Sequence, residues 1–282
     1  MAWPGAPAWT DRDRARNKFL GCQARAKSGC VIKPRVDDQY RPVHLPSRSS
    51  ATLAQVRPVT HDISEFHFTL AAPMAFEPGQ YLLLQLPGID GLRAYSMSSV
   101  PADGACFSLQ VRRTPEGKGS AALFGLPAGT TVEVDGPYGM AWLRTDVRRD
   151  ILCVAGGSGL APMISIARGA MTHAALADVH LHFVYGGRTV RDICGEDMLR
   201  ALPGWGERLH YYPAVSDPAG ESAGAWGGRT RFAHEVVAEL FGLRLPQMEI
   251  YFAGPPAMAL ALQRMLMKAK VAPAQVHFDQ FY

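Results

Sequence analysis

The chain has 282 residues, of which 48% are hydrophobic and 9% aromatic, and its 29 Lys and Arg against 25 Asp and Glu give a formal net charge of +4. This length accommodates two compact domains, and this composition excludes disorder along the whole chain. The basic residues are dispersed apart from Arg12, Arg14, Arg16 and Lys18, so the clustered basic stripe of a nucleic-acid-binding surface is missing.

Residues 1–47 are proline-rich, carry scattered charge, show no sustained periodicity and are too short for a self-sufficient core. Charge begins at Asp11, before any secretory apolar segment could form, which sets the expectation of a cytoplasmic protein. From about residue 51 short apolar segments alternate with turn residues: 53–59, 65–70, 81–86, 106–112 and 131–134, interrupted at 77–80, 101–104 and 135–139. Such spacing predicts an antiparallel barrel.

After Asp150 the rhythm changes. Strand-like runs at 151–155, 180–185, 209–214, 249–253 and near Val276 alternate with helical spacing at 162–172, 229–240 and 256–268, the pattern of a doubly wound parallel sheet. The fold class expected is therefore a β-barrel followed by an α/β domain, divided as residues 1–47, 48–146 and 147–282. Residues 151–167 carry no charge over about one bilayer-core length, but their glycines and Pro162 make them a buried strand and a turn rather than a membrane span.

Five cysteines, Cys22, Cys30, Cys106, Cys153 and Cys194, follow neither a disulfide framework nor a zinc spacing. His180 and His182 fall on one face of a strand without a third ligand and read as structural histidines. No metal site is expected.

Three segments carry chemistry. Arg93-Ala94-Tyr95-Ser96 by itself reads more often as a strand edge than as a site, but were a flavin present, the arginine could fork onto its pyrophosphate, the aromatic ring could cover its ring system, and the hydroxyl could hydrogen-bond near its redox nitrogen. Gly156-Gly157-Ser158-Gly159-Leu160-Ala161-Pro162 follows a buried strand and opens a helix, where glycines permit close backbone approach to phosphate. It starts like the G-x-S-x-G nucleophile elbow, but Leu160 takes the place of the closing glycine. Ala253-Gly254-Pro255-Pro256 ends another apolar strand. Gly117-Lys118-Gly119-Ser120 precedes a short helix over 121–124 and reads equally as a phosphate-binding turn or a surface turn.

On these motifs, residues 50–282 resemble the ferredoxin-NADP reductase superfamily, in particular the reductase components of bacterial aromatic-ring-hydroxylating oxygenases. In that family R-x-Y-S binds FAD, G-G-x-G-x-A-P binds the nicotinamide nucleotide and C-G-P-P lies beside the nicotinamide. The resemblance implies flavin contacts from Arg93, Tyr95, Ser96, Gln110, Val111, Arg112, Gly119 and Ser120, and nucleotide contacts from Gly156, Gly157, Ser158, Gly159, Pro162, Arg188, Ala253, Gly254, Pro255 and Pro256. It implies that Tyr95, Ser96 and the C-terminal Tyr282 border the reacting rings, and that residues 136–139 lie at the domain junction. Ala253 stands where many members have cysteine, which implies slower hydride transfer without abolishing it.

Arg188 and Arg191 leave NADPH open, whereas the resemblance to oxygenase reductases favours NADH. Around Cys22-Gln23 the chain resembles the tail of a plant-type [2Fe–2S] ferredoxin, yet none of the 21 preceding residues is cysteine, so a remnant without an intact cluster is expected. The function implied is an FAD-dependent NAD(P)H oxidoreductase of aromatic hydrocarbon catabolism that passes electrons to a separate [2Fe–2S] ferredoxin or oxygenase component. The alternatives are a flavin reductase or oxidase, and a non-catalytic regulatory member of the fold.

Overall fold

The computed structural model describes residues 15–19, 26–33, 37–101, 104–217 and 226–280. The chain divides between Arg41 and Pro42. The described residues before that point include a 3-10 turn, Asp38–Tyr40.

From Pro42 onward the first layer is antiparallel. Its strands are β1 Ser47–Pro58, β2 Ile63–Leu70, β3 Tyr81–Gln85, β4 Arg93–Ser96, β5 Cys106–Arg112 and β6 Thr131–Tyr138, with helix α1 Lys118–Phe124 between β5 and β6. They pair in the order β4-β3-β6-β1-β2-β5, and a bridge between Met97 and Leu109 brings the two edges together into a nearly closed barrel. Closure removes the unpaired edges that would otherwise invite another strand. Period-2 alternation aims Leu82 and Leu84 of β3, Phe66 and Phe68 of β2 and Val132 and Val134 of β6 into one core. Leu123 of α1 joins that core fully buried, and a leucine so placed contributes roughly 1.5–3 kcal/mol.

The second layer is a parallel sheet built from β7 Ile151–Gly156, β8 Leu181–Gly187, β9 Leu209–Val215, β10 Arg229–Thr230, β11 Glu249–Gly254 and β12 Val276–Gln280. Its helices are α2 Leu160–Thr172, α3 Glu196–Arg200, α4 Ala233–Phe241 and α5 Pro256–Lys268. The order is β10-β9-β8-β7-β11-β12, so the winding reverses between β7 and β11. Both faces are covered, which explains why the strands read as unbroken apolar runs. Along β7, Ile151, Cys153 and Ala155 pack toward α2, while Leu152 and Val154 pack toward α4 and α5. Among the described residues no helix is long and apolar enough to cross a membrane.

Several expected boundaries change. β1 begins at Ser47 because its first residues pair with 131–136 of β6. β6 runs on through the expected break at 135–139 as far as Tyr138, since Gly136 pairs with Ser47 and Tyr138 with Tyr81. The helix expected over 229–240 starts only at Ala233, because Arg229 and Thr230 extend the sheet beside Ala214 and Val215. Helix α3 has no counterpart in the sequence expectation; at five residues it is too short to display helical periodicity.

His182 is buried, stacks on His210 and bonds the Tyr212 hydroxyl at 3.2 Å. Burial lowers its pKa from 6.5 to about 4, assisted by Arg244 and His210 and opposed by Asp150. The folded chain therefore binds this proton less tightly than the unfolded chain. Stability present above pH 6.5 is lost as pH falls toward about 4. His182→Phe is expected to flatten the acid limb of a series of thermal melts across that window, and an unchanged limb would assign the loss to other groups.

Candidate functional site

The carboxyl ends of the parallel strands open onto a cavity of about 690 Å3 at the point where the winding reverses. Open α/β sheets take ligands at such reversal points, and this volume lies within the range of small-molecule sites. Gly156, Gly157, Gly186 and Gly187 line it, so backbone rather than side chain forms much of the wall.

The turn after β7 is built by glycine for two reasons. Gly157 sits at φ +55, a left-handed conformation costly for other residues. Gly159 meets the end of β11 so closely that a β-carbon would overlap the Ala253 carbonyl. The turn leads directly into α2, whose first turn contains no acidic residue and whose N-terminus has no side-chain cap. The dipole of that helix suits an anion at the turn. Ser158 and Pro162 belong to this turn and first helical turn, while Pro255 and Pro256 start α5 on the other side of the reversal. Arg188, Asp192, Asp217 and Arg231 complete the charged lining of the cavity.

On the barrel, Arg93, Tyr95 and Ser96 occupy β4, and the start of α1 packs against them. A β-carbon on Gly119 would lie 3.1 Å from both the Arg93 Cγ and the Tyr95 hydroxyl, so only glycine leaves this cradle unfilled. Arg93 Nη1 donates to the carbonyls of Asp90, Gly91 and Leu92, which folds its side chain back over the preceding turn. Burial raises the Tyr95 pKa to about 12 despite the opposing charge of Arg93, leaving a neutral phenol across the physiological range.

The two layers are stitched together by α2. Ser165 Oγ donates to the Ser99 carbonyl at 2.6 Å and accepts from the Gly79 N–H at 3.2 Å. Arg168 Nη1 donates to the Ser98 carbonyl at 2.7 Å and lies 3.9 Å from Glu65 Oε1. The middle of the helix that begins at the Gly-rich turn thus bonds the segment that leaves the Arg93–Ser96 strand.

Other expected site residues are placed differently. Gln110 is 3% exposed, and its amide donates to Glu65 Oε1 at 3.1 Å and contacts Met198 Sδ, so its side chain points into the junction between the layers. Val111 is buried in the barrel core. The Ser120 hydroxyl closes its own loop through Thr114 and the Gly117 carbonyl rather than facing a ligand. Arg112 does not extend along the barrel toward Arg93. It lines the cavity, with Nη1 3.5 Å from where a β-carbon on Gly157 would sit. Tyr282 and Cys22 lie outside the described residues.

Sequence reasoning did not find Asp62, Asp192, Asp217 or Arg231. Each lines the cavity from a loop or strand end, and no motif marks such positions. Asp279 of β12 pairs in register with Ala253, and its Oδ2 is buried without a hydrogen-bond partner among the described residues. Burial raises its pKa to about 6. His61, Asp62 and Asp192 form the one group of three potential metal ligands among the described residues, and Arg112 already supplies a cation to Asp62.

A barrel with a flavin-type strand, joined to a parallel sheet with a Gly-rich turn at its reversal point, defines a two-module nucleotide-dependent oxidoreductase. Residues 50–142 match the oxidoreductase FAD-binding domain family and residues 153–264 the oxidoreductase NAD-binding domain family. The chain is 35% identical to the ferredoxin–NAD(P)(+) reductase CarAd of Metapseudomonas resinovorans, an alignment that takes in 99% of this chain and 83% of that protein. It is 33% identical to the ferredoxin–NAD(+) reductase component of the alkene monooxygenase system of Xanthobacter autotrophicus, over 100% of this chain and 84% of the relative. The solved structure of the ferredoxin reductase in carbazole 1,9a-dioxygenase superimposes with a TM-score of 0.83 at 32% identity, covering 94% of this chain and 78% of that one. The chain belongs to this family of FAD- and NAD-binding ferredoxin–NAD(P)+ reductases.

Proposed function

We propose that the protein takes electrons from NADH onto a bound FAD and delivers them to a separate [2Fe–2S] ferredoxin or oxygenase component in aromatic hydrocarbon catabolism, in the cytoplasm. The observation that carries this reading is the continuity from the Gly-rich turn through α2 to the exit of β4, which ties a nucleotide site to a flavin site in one rigid path. In this reading residues 48–146 are the flavin module and residues 147–282 the nucleotide module.

The residues present fit both groups. Arg93 and the backbone N–H groups of Gly119 and Ser120 would hold the flavin phosphates, with Tyr95 and Ser96 bordering its ring system. The glycine cradle at Gly119 leaves space for this. Residues 156–162 and 254–256 would hold the nucleotide across the reversal point, with Arg112 and Arg188 on its phosphates. Ala253 is buried at the end of β11, with its carbonyl against Gly159, and does not itself line the cavity. When bound, FAD supplies a two-electron hydride acceptor that can release electrons singly. The protein's own work is to stack the two rings, exclude water and keep the Tyr95 phenol neutral.

Nucleotide choice follows from charge. Arg188 and Arg231 would welcome a 2′-phosphate, but Asp192 and Asp217 on the same wall oppose it. The similarity to a relative named for NAD(+) points the same way.

Anaerobic titration of the FAD-loaded protein with NADH tests the reading. Flavin absorbance is expected to bleach at about one NADH per FAD, and the reduced protein is expected to reduce an added [2Fe–2S] ferredoxin. No bleaching with either nucleotide would overturn the reading. Bleaching discharged only to oxygen or free flavin would replace it with the flavin reductase or oxidase alternative.

A further inference from the structure

We infer that Asp62 is a positioning residue that aims the Arg112 guanidinium at the nucleotide's phosphates, so that the flavin barrel supplies a preformed arm to the nucleotide cavity. The inference rests on the nucleotide reading of that cavity and extends it to a residue pair from the other module. Arg112 ends β5 on the barrel and borders the Gly156-Gly157 turn through Nη1. A long side chain spanning two modules is costly to order unless something holds it. Arg112 is held: its Nε donates to Asp62 Oδ2 at 2.5 Å. A bond through Nε fixes the fork from behind and leaves its Nη1 end directed at the turn.

Asp62 is itself fixed. Its Oδ1 accepts from Thr60 Oγ1 at 3.0 Å, while Thr60 Oγ1 accepts from the Asp62 and Ile63 N–H groups at 3.3 and 2.9 Å. The Asp62 carbonyl accepts from the Arg113 N–H at 2.7 Å, which ties the β1–β2 turn to the strand carrying Arg112. Asp62, part-buried, is therefore a built support rather than a passing surface ion. Two further groups face the pair, and the Arg112 charge also acts on one of them, Asp192. Asp192 commits Oδ2 to the Thr189 N–H and hydroxyl at 2.7 and 3.0 Å. Its Oδ1 lies 3.8 Å from His61 Nε2, which is also 3.6 Å from Asp62 Oδ2.

The test is a double-mutant cycle on the FAD-loaded protein, with ADP-ribose as the probe because it carries the pyrophosphate without a redox-active ring. Asp62→Asn preserves size and the Thr60 contact while removing the charge. It is expected to raise the calorimetric Kd roughly twofold to fivefold, the range for one partly exposed charged contact. In an Arg112→Gln background the same change is expected to have no further effect, and Asp62→Glu should restore part of the affinity. A merely structural contribution would lower affinity equally in both backgrounds and so overturn the inference. Unchanged or tighter binding in Asp62→Asn would overturn it too, the latter by showing that Asp62 competes with the phosphate. Should Asp62→Asn not fold, Thr60→Val removes the hydroxyl that holds Oδ1, and an unchanged Kd there is decisive against the inference. Failure of wild-type protein to bind ADP-ribose would instead remove the nucleotide reading on which the inference stands.

Discussion

Gly159→Ala is expected to lower the rate of NADH-driven flavin reduction by about 100-fold while leaving the barrel's FAD in place. The added β-carbon would overlap the Ala253 carbonyl and crowd the Gly254 nitrogen, and both are backbone atoms of the neighbouring strand. No rotamer change can relieve that contact, so β11 and the turn must separate. Overpacking of this kind costs about 3 kcal/mol at the upper end of its usual range, which corresponds to roughly two orders of magnitude in an equilibrium. For a domain of this size the same cost lowers the melting temperature by roughly 6–12 °C. Stopped-flow absorbance and a thermal melt measure both effects. Wild-type values in each would show that the turn is not held against β11 in solution.

The second large effect is expected on the barrel. Tyr95→Ala should weaken FAD binding about tenfold to 100-fold, because an aromatic ring of this kind combines apolar area with face-to-face packing worth roughly 1–3 kcal/mol. Tyr95→Phe keeps the ring and should remain within a few fold of wild type. Flavin retained after gel filtration, followed by fluorescence titration of the released cofactor, separates the two variants. Since burial pushes the Tyr95 pKa up to about 12, wild-type FAD affinity is expected to be flat between pH 6 and 10 with respect to this group. Loss of flavin from the phenylalanine variant as well would shift the role from the ring to the hydroxyl.

Much of the fold was legible before any coordinates, because each layer writes a local period. Short alternating segments around Phe66, Leu82 and Val132 announce a barrel, and unbroken apolar runs such as 151–155 announce strands covered on both faces. The boundaries that moved did so for pairing reasons. Residues 47–52 look polar and exposed, yet they form strand because β6 lies beside them. Arg229 and Thr230 have helical neighbours in sequence but a strand neighbour in space.

The site divides in the same way. Tyr95, Gly119, Gly157 and Gly159 are recognisable in one dimension, since a ring beside an arginine or a run of glycines before a helix is a local chemical statement. Gln110, Ser120 and Arg112 are not. The Gln110 and Arg112 side chains are directed by contacts distant in sequence, with Glu65, Met198, Asp62 and the Gly157 turn, whereas the Ser120 hydroxyl is turned back into its own loop by Thr114 and the Gly117 carbonyl. A strand residue's face follows from its parity, but which module lies opposite that face does not.

A flavin-type strand, a Gly-rich nucleotide turn and a proline-marked strand end follow one another along the chain, on segments whose periods spell a barrel and a parallel sheet. That information is local: glycine freedom, helix starts and hydrophobic period need no partner to be read. Packing between the layers is what sets α2 to fasten the turn to the flavin strand through Ser165 and Arg168, and Arg112 to face the cavity from the barrel with Asp62 behind it. Those facts depend on the docking of two modules across their junction, where the deciding distances join residues that no sequence window contains.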